Sequence, residues 1–238
     1  MANQEHNLEK IRLIYDKLVR LSDDEKRVVL SRFFKTGKGE YGEGDKFIGI
    51  IVPNVRSVAK RHKDCSLEII AELLESEWHE CRLCALLILR EKFKESPDSI
   101  VGFYLSHTKG INNWDLVDLS APYVLGQYLV HKTDRKILYE LAESEIMWER
   151  RIAVVSTLTL IRNNMFDDTI RLAEKLIDSK HDLMQKAIGW MLREVGKRDE
   201  ALLKVFLSKH CGTMPRTMLR YAIEKFPPHI RKEYMQRK

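Results

Sequence analysis

Trp148-Glu149-Arg150-Arg151-Ile152-Ala153 is the stretch whose reading decides the fold, because two other parts of the chain echo it. His79-Glu80-Cys81-Arg82-Leu83-Cys84 aligns with it when Arg82 is set over Arg151, 69 residues away. Met184-Gln185-Lys186-Ala187-Ile188 aligns with Lys186 in the same place, 35 residues beyond Arg151. Trp114 and Trp148 lie 34 residues apart. A period of about 35 residues built from two helices is the signature of an α-solenoid of HEAT-like repeats. One such unit cannot bury its apolar face alone, so neighbouring units must stack. The expected fold class is therefore all-α, with antiparallel helix pairs curved around a concave basic groove. The second helix of each pair carries Arg82, Trp114, Arg151 and Lys186 near its start and is placed on the concave side.

Outward from this register, helical spacing of apolar residues divides the chain into elements. Leu8 to Leu21 reads as a first helix, and Ser22-Asp23-Asp24-Glu25 as the capped, acidic start of a second that runs through Phe33 and Phe34. Thr36 to Asp45 holds Gly37, Gly39, Gly42 and Gly44 among charges and reads as the one long flexible loop. Pro53 opens a short basic helix over 54–62. Helix pairs are expected at 66–76 with 78–93, 97–109 with 114–131, 134–144 with 146–162, 166–178 with 181–196, and 198–209 with 214–225. The whole chain, 1–238, is expected to be one solenoid domain: N-terminal helices and glycine-rich loop over 1–62, helical repeats over 66–226, and a C-terminal tail helix over 227–238.

The bulk numbers agree with this frame. In 238 residues, 44% hydrophobic content supports a core, and 32% charged residues suit a helical surface laced with ion pairs. Eleven glycines and six prolines are too few for a turn-rich β fold. A net charge of +6 and a pI near 9.0 permit an acidic partner such as nucleic acid without demanding one. No apolar run reaches the roughly 18 to 20 residues of a membrane span, and Met1 to Lys10 is too polar for a signal sequence. The expected location is the cytoplasm.

Several motifs invite chemistry. Cys81-x-x-Cys84 has redox or zinc spacing, but it has no second pair nearby and lies in an apolar helix, so it reads as buried thiols. The eight histidines form no metal or triad spacing. The glycine-rich stretch lacks the GK[ST] of a phosphate loop. Basic residues recur near helix starts: Arg56, Lys60 and Arg61, then Arg82, Arg151, Lys186, Arg193, Arg216 and Arg220. That recurrence would align positive charge along a groove, as a duplex phosphate backbone requires. Asp118 follows Trp114 by four residues, so carboxylate and indole share a helix face. A carboxylate before the largely apolar run Leu119–Val130 is costly unless paired or used. Gly189 is unusual inside a helix, since it costs up to about 1 kcal/mol against alanine, and it implies a close approach to the backbone beside Trp190.

Three strings, in order, resemble a known family: Trp114-Asp115-x-x-Asp118, Trp148-x-x-Arg151-x-Ala153, and Gln185-Lys186-Ala187-Ile188-Gly189-Trp190-x-Leu192-Arg193-Glu194. Together with Gly49-Ile50, Pro53 and Arg56, they resemble the bacterial DNA alkylation-repair glycosylases of the AlkD type, built from HEAT-like repeats. The likeness spans roughly residues 25 to 225. It implies a monofunctional DNA N-glycosylase of base excision repair that removes positively charged N3- or N7-alkylated purines from duplex DNA. By the same resemblance, Asp118 takes the place of the catalytic carboxylate, stabilising the oxocarbenium-like deoxyribose and orienting water. Trp114 and Trp190 take the places of the flanking aromatics, and Arg151 that of the cleft arginine. Arg193, Lys186, Arg82, Arg56, Arg216, Arg220 and Phe33 are placed among the DNA contacts. Phe33 stands where the family often has a tyrosine, which removes a hydroxyl. No metal or cofactor is implied, and a monomer is expected. The alternative is a non-catalytic HEAT-like solenoid that binds DNA or a protein partner through the same groove.

Overall fold

The computed structural model describes residues 2–236. Met1, Arg237 and Lys238, the last two in the expected tail helix, lie outside the described residues. The chain divides into two compact units, Met1–Ser120 and Ala121–Lys238. Among the described residues there is no β-strand, and Lys46 and Trp78 form an isolated bridge. The fold is all-α, built of helix pairs in a solenoid-like succession. No helix of the described residues is long and apolar enough to cross a membrane.

The first unit holds α1 (Ala2–Val19), α2 (Asp24–Phe33), α3 (Val52–Arg61), α4 (Leu67–Leu74), α5 (His79–Lys92), α6 (Pro97–Ser106) and α7 (Trp114–Ser120). Its centre is α5, whose residues His79 to Leu89 are all buried. A helix enclosed by neighbours must be apolar all round. The run Leu83 to Leu89 meets that demand, and α5 packs against α3, α4 and α7. All four cysteines are free and buried. Burial pushes the Cys81 thiol up to about 11 and raises Cys84 as well, so both behave as small core side chains.

The second unit opens on a π-turn, Pro122–Gly126, and continues through α8 (Gln127–Leu129), α9 (Lys136–Glu143), α10 (Met147–Arg162), α11 (Asp167–Lys175), α12 (Asp182–Gly196), α13 (Glu200–His210), α14 (Arg216–Ala222) and α15 (Pro228–Gln236). Here α10 takes the central place. Arg151 to Ile161 are all buried, with α9, α11, α12 and the π-turn packed on them.

Helix starts follow local chemistry. Asp23 caps α2 by accepting from the Lys26 amide at 3.0 Å, and Asp199 caps α13 through the Leu202 amide at 2.8 Å. Helix α1 begins at Ala2, earlier than the expected Leu8, because the polar residues before Leu8 suit an exposed helical turn and Glu5 lies in the positive first turn.

The internal repeat is real but its frame differs from the one expected. Arg82 donates to the Ser76 carbonyl at 2.6 Å, Arg150 to the Ser144 carbonyl at 2.6 Å, and Gln185 to the Ser179 carbonyl at 2.9 Å. Each is a long polar side chain reaching back six residues to tie the turn between paired helices. The counterpart of Arg82 is thus Arg150, not Arg151. The frame is set by Ser76-Glu77-Trp78, Ser144-Glu145-Ile146 and Ser179-Lys180-His181. The Ser76 and Ser144 hydroxyls also accept the amides of Trp78 and Ile146, at 3.2 and 3.0 Å.

Gly189 answers to packing inside the second unit. A β-carbon built there would lie 2.4 Å from the Met218 carbonyl oxygen of α14 and 2.5 Å from the Tyr221 β-carbon. The close approach expected at this position is that of α14. Gly189→Ala should therefore destabilise the protein by about 1–3 kcal/mol, the usual range for overpacking, despite alanine's better helix propensity. Thermal unfolding of the variant checks this, and an unchanged or raised midpoint would contradict it.

Candidate functional site

The first unit contains a pocket of about 450 Å³ whose lining is mostly apolar: Leu30, Phe33 and Phe34 from the end of α2, Phe47 and Ile50–Pro53 from the segment entering α3, Leu83 from α5, and Trp114, Asp118 and Leu119 from α7. Asp118 and Trp114 lie one helical turn apart and both line it. Asp118 is half-buried, as is Trp114.

Aromatic rings form the wall. Phe34 stacks on Trp114 with centroids 5.1 Å apart and planes at 18°, and Phe47 stacks on Phe34 at 4.9 Å and 20°. Phe33 meets Trp114 edge-on at 5.8 Å. Behind them His79 stacks on Phe47 at 4.4 Å. Such offset and edge contacts are worth about 0.5–1.5 kcal/mol each beyond burial. Phe33 is 60% exposed, so it forms the rim while Phe34 and Phe47 are core.

Two buried acid-bearing devices hold this wall. The Glu80 carboxylate accepts three backbone amides, from Ile48 and Gly49 at 2.8 Å each and Ile50 at 3.0 Å. These are charge-assisted bonds that fix the pocket-lining segment. The turn needs Gly49, whose φ is +98° and whose missing β-carbon would lie 2.3 Å from the Asp23 carbonyl oxygen. The second device is a chain. His79 bonds Asp45 through Nδ1 at 2.9 Å and Asp115 through Nε2 at 2.8 Å. Arg82 donates a short bond to Asp45, and the Asn113 amide reaches it at 3.3 Å. With both ring nitrogens of His79 on carboxylates, the ring has no lone pair for a metal. No group of three or more His, Cys, Asp or Glu among the described residues is placed to hold one.

Burial alone would push the His79 imidazole down. The charges and hydrogen bonds of Asp115 and Asp45 outweigh it and raise the group to about 9. Burial would likewise raise Asp45, but its hydrogen bonds and charge pairing with His79 and Arg82 hold it below the ordinary value. A raised histidine stabilises the fold in its protonated form. That contribution, on the order of 3 kcal/mol, is fully present below the ordinary value of 6.5 and is lost as pH rises through about 9. Denaturant unfolding at intervals from pH 6 to 10 should show stability falling across that window. Asp115→Asn should flatten the fall, and an unchanged slope would contradict the assignment.

The remaining expected site residues divide by environment. Arg82 is a correction: its side chain is 6% exposed and its guanidinium is committed to Asp45 and the Ser76 carbonyl, so it is not presented to a phosphate. Arg56 is half-buried on α3. In the second unit, Arg151 is buried and donates to the Leu183 carbonyl at 2.6 Å. Trp190 is half-buried with its indole N–H on Glu194 at 3.2 Å. Arg193 pairs with Glu224 and Glu194, and Lys186 with Asp182. Arg216 donates to the Met235 carbonyl of α15, and Arg220 is exposed.

Sequence reasoning missed Tyr41, Asp45, Phe34, Phe47, His79 and Glu80. The glycine-rich loop expected to be flexible is tied at several points. Gly37 and Gly39 donate to the Glu40 and Glu43 carboxylates at 3.0 and 2.8 Å, and Gly42 donates to the Lys35 carbonyl at 3.1 Å. Its acidic residues serve its own amides, a pattern that glycine–glutamate alternation in a loop can suggest. The other readable signal was Glu80, an acid leading into the apolar run Leu83–Leu89.

A family model described as DNA alkylation repair enzyme matches residues 14–226. No curated protein matches the sequence. A solved structure described as a predicted DNA alkylation repair enzyme from Enterococcus faecalis is similar in fold, with a TM-score of 0.72 at 18% identity, covering 87% of this chain and 97% of that one.

Proposed function

The chain belongs to the DNA alkylation repair enzyme family, and on that premise we propose that it is a monofunctional DNA N-glycosylase that releases cationic N3- or N7-alkylated purines from duplex DNA. The observation that carries this reading is the pairing of the Asp118 carboxylate with the Trp114 indole in one aromatic-walled pocket.

The chemistry follows from charge. An N3- or N7-alkylated purine already carries a positive charge and leaves as a neutral base, so no general acid is needed. Positive charge instead builds on the deoxyribose as the glycosidic bond breaks. A fixed carboxylate and the negative face of an indole stabilise charge where it develops. Asp118 also orients the attacking water. The paired carboxylates of sugar hydrolases serve a poorer leaving group and are not required. The step as proposed uses neither metal nor cofactor.

In the second unit, Trp190 is assigned the role of a second aromatic at the lesion's sugar and phosphate, and Arg151 that of the cleft arginine. Arg193, Lys186, Arg56, Arg216 and Arg220 are assigned to DNA phosphates. The ion pairs that Lys186 and Arg193 make are partly exposed, and such pairs contribute little to stability, so exchange for a phosphate is not opposed. The protein is taken to act as a monomer and as one domain.

The test is single-turnover release of free base from duplex DNA carrying 7-methylguanine. Release well above the spontaneous rate is expected. Release at the spontaneous rate, with duplex binding intact, would overturn the glycosylase reading in favour of a non-catalytic DNA-binding solenoid.

A further inference from the structure

Tyr41 of the glycine-rich loop reaches the pocket wall. Its hydroxyl accepts the Trp114 indole N–H at 3.3 Å and donates to the Phe33 carbonyl at 3.4 Å. One hydroxyl therefore joins the end of α2 to the start of α7, on the residue proposed to face the reacting sugar. We propose that Tyr41 is a positioning residue for Trp114, and that the glycine-rich loop is part of the site because its anchors deliver Tyr41 there. This rests on the glycosylase reading of Trp114 and Asp118.

The geometry explains why a hydrogen bond is needed in addition to stacking. Phe34 lies flat against the Trp114 ring at 18° and Phe33 meets it edge-on. Those contacts define the plane of the indole but allow it to slide or turn within that plane, since offset stacking is broad in displacement. A bond to the ring nitrogen fixes the remaining rotation. A half-buried indole without a protein acceptor would exchange its N–H among waters and lose that definition.

Two anchors bracket Tyr41. On one side Gly42 donates to the Lys35 carbonyl at 3.1 Å and leaves no room for a β-carbon, which would lie 2.4 Å from the Phe34 carbonyl oxygen. On the other, the Asp45 side chain is 2% exposed and takes bonds from His79, Arg82 and Asn113. Asp115, adjacent to Trp114, holds the opposite nitrogen of the same histidine. The buried chain thus ties loop and α7 to one imidazole. It fixes the base of the loop and the start of α7 relative to each other, which a mobile connector would not require.

The experiment uses Tyr41→Phe in the full-length protein, a substitution that removes one oxygen and keeps the ring. Two readouts are taken. The first is the Trp114 indole N–H resonance in the free protein, assigned by its absence in Trp114→Phe. The second is single-turnover release of 7-methylguanine together with the DNA concentration giving half-maximal rate. The inference expects the indole resonance to shift upfield and broaden. It expects the release rate to fall about fivefold, the scale of one lost hydrogen bond, with the half-saturating concentration unchanged. Gly42→Ala, which displaces the loop while keeping Tyr41, should move the same resonance in the same direction.

An unmoved resonance in Tyr41→Phe overturns the inference, whatever the rate does. A moved resonance with an unchanged release rate overturns it too, because the indole position would then not matter to the reaction. The two readings fail separately: wild-type protein that releases no base defeats the glycosylase assignment, while full wild-type activity with an indifferent Tyr41→Phe defeats this one alone.

Discussion

Asp118→Asn should slow release of 7-methylguanine by about a hundredfold or more, the usual consequence of removing one preorganised electrostatic contact to a transition state. Asparagine keeps the shape and one oxygen but carries no charge, so it isolates the charge as the variable. The loss should fall on the rate of the bound complex and not on duplex affinity, because the cationic sugar exists only on the way to the transition state. Asp118 is half-buried at the lining of a pocket, so the fold should tolerate the change. Helical content and unfolding midpoint provide the control. If Asp118→Asn and wild type release base at one rate, the carboxylate has no chemical role and the aromatic pocket belongs to a binding module.

Glu80→Ala should be the most destabilising single substitution at the site. It strands the amides of Ile48, Gly49 and Ile50, all on buried residues. Each lost partner costs about 1–3 kcal/mol, and with some relaxation of the segment the sum should be about 4 kcal/mol. For a chain of this length that lowers the melting temperature by roughly 8–16 °C. Glu80→Gln retains one acceptor oxygen but turns an amide NH2 toward a backbone donor, so it should fall between. Because Ile50, Ile51, Val52 and Pro53 line the pocket, Glu80→Ala should also weaken activity at temperatures where the protein is still folded. A midpoint within a few degrees of wild type would contradict the role assigned to this carboxylate.

How far the sequence carries this picture depends on the distance over which its signals act. Helices repeat every few residues, so apolar periodicity located them. The i,i+4 spacing of Trp114 and Asp118 places both on one face. Pro53, Asp23 and Gly189 carried readable local meaning, although the close approach at Gly189 turned out to be that of α14. What was not legible was pairing through space. Asp45 meets His79 and Asn113 across 34 and 68 residues of chain, and no local pattern announces such partners. The glycine-rich loop looked flexible because glycine signals conformational freedom, while its tethers come from the acids between the glycines and from α5. The repeat frame slipped by one residue for a related reason. Arg150 and Arg151 are adjacent, so string similarity sets Arg82 over Arg151, whereas the structural constant is the serine six residues before Arg82, Arg150 and Gln185. Arg82 was thereby set in a phosphate-facing row, whereas its guanidinium closes a helix turn.

The central claim is that the site acts by stabilising positive charge and supplies no acid to the leaving base. Its most direct test compares two lesions in one duplex sequence under single-turnover conditions: cationic 7-methylguanine and neutral hypoxanthine. The account expects release of 7-methylguanine well above its spontaneous rate and no measurable release of hypoxanthine. Comparable release of both, or release of 7-methylguanine at only the spontaneous rate, would contradict it.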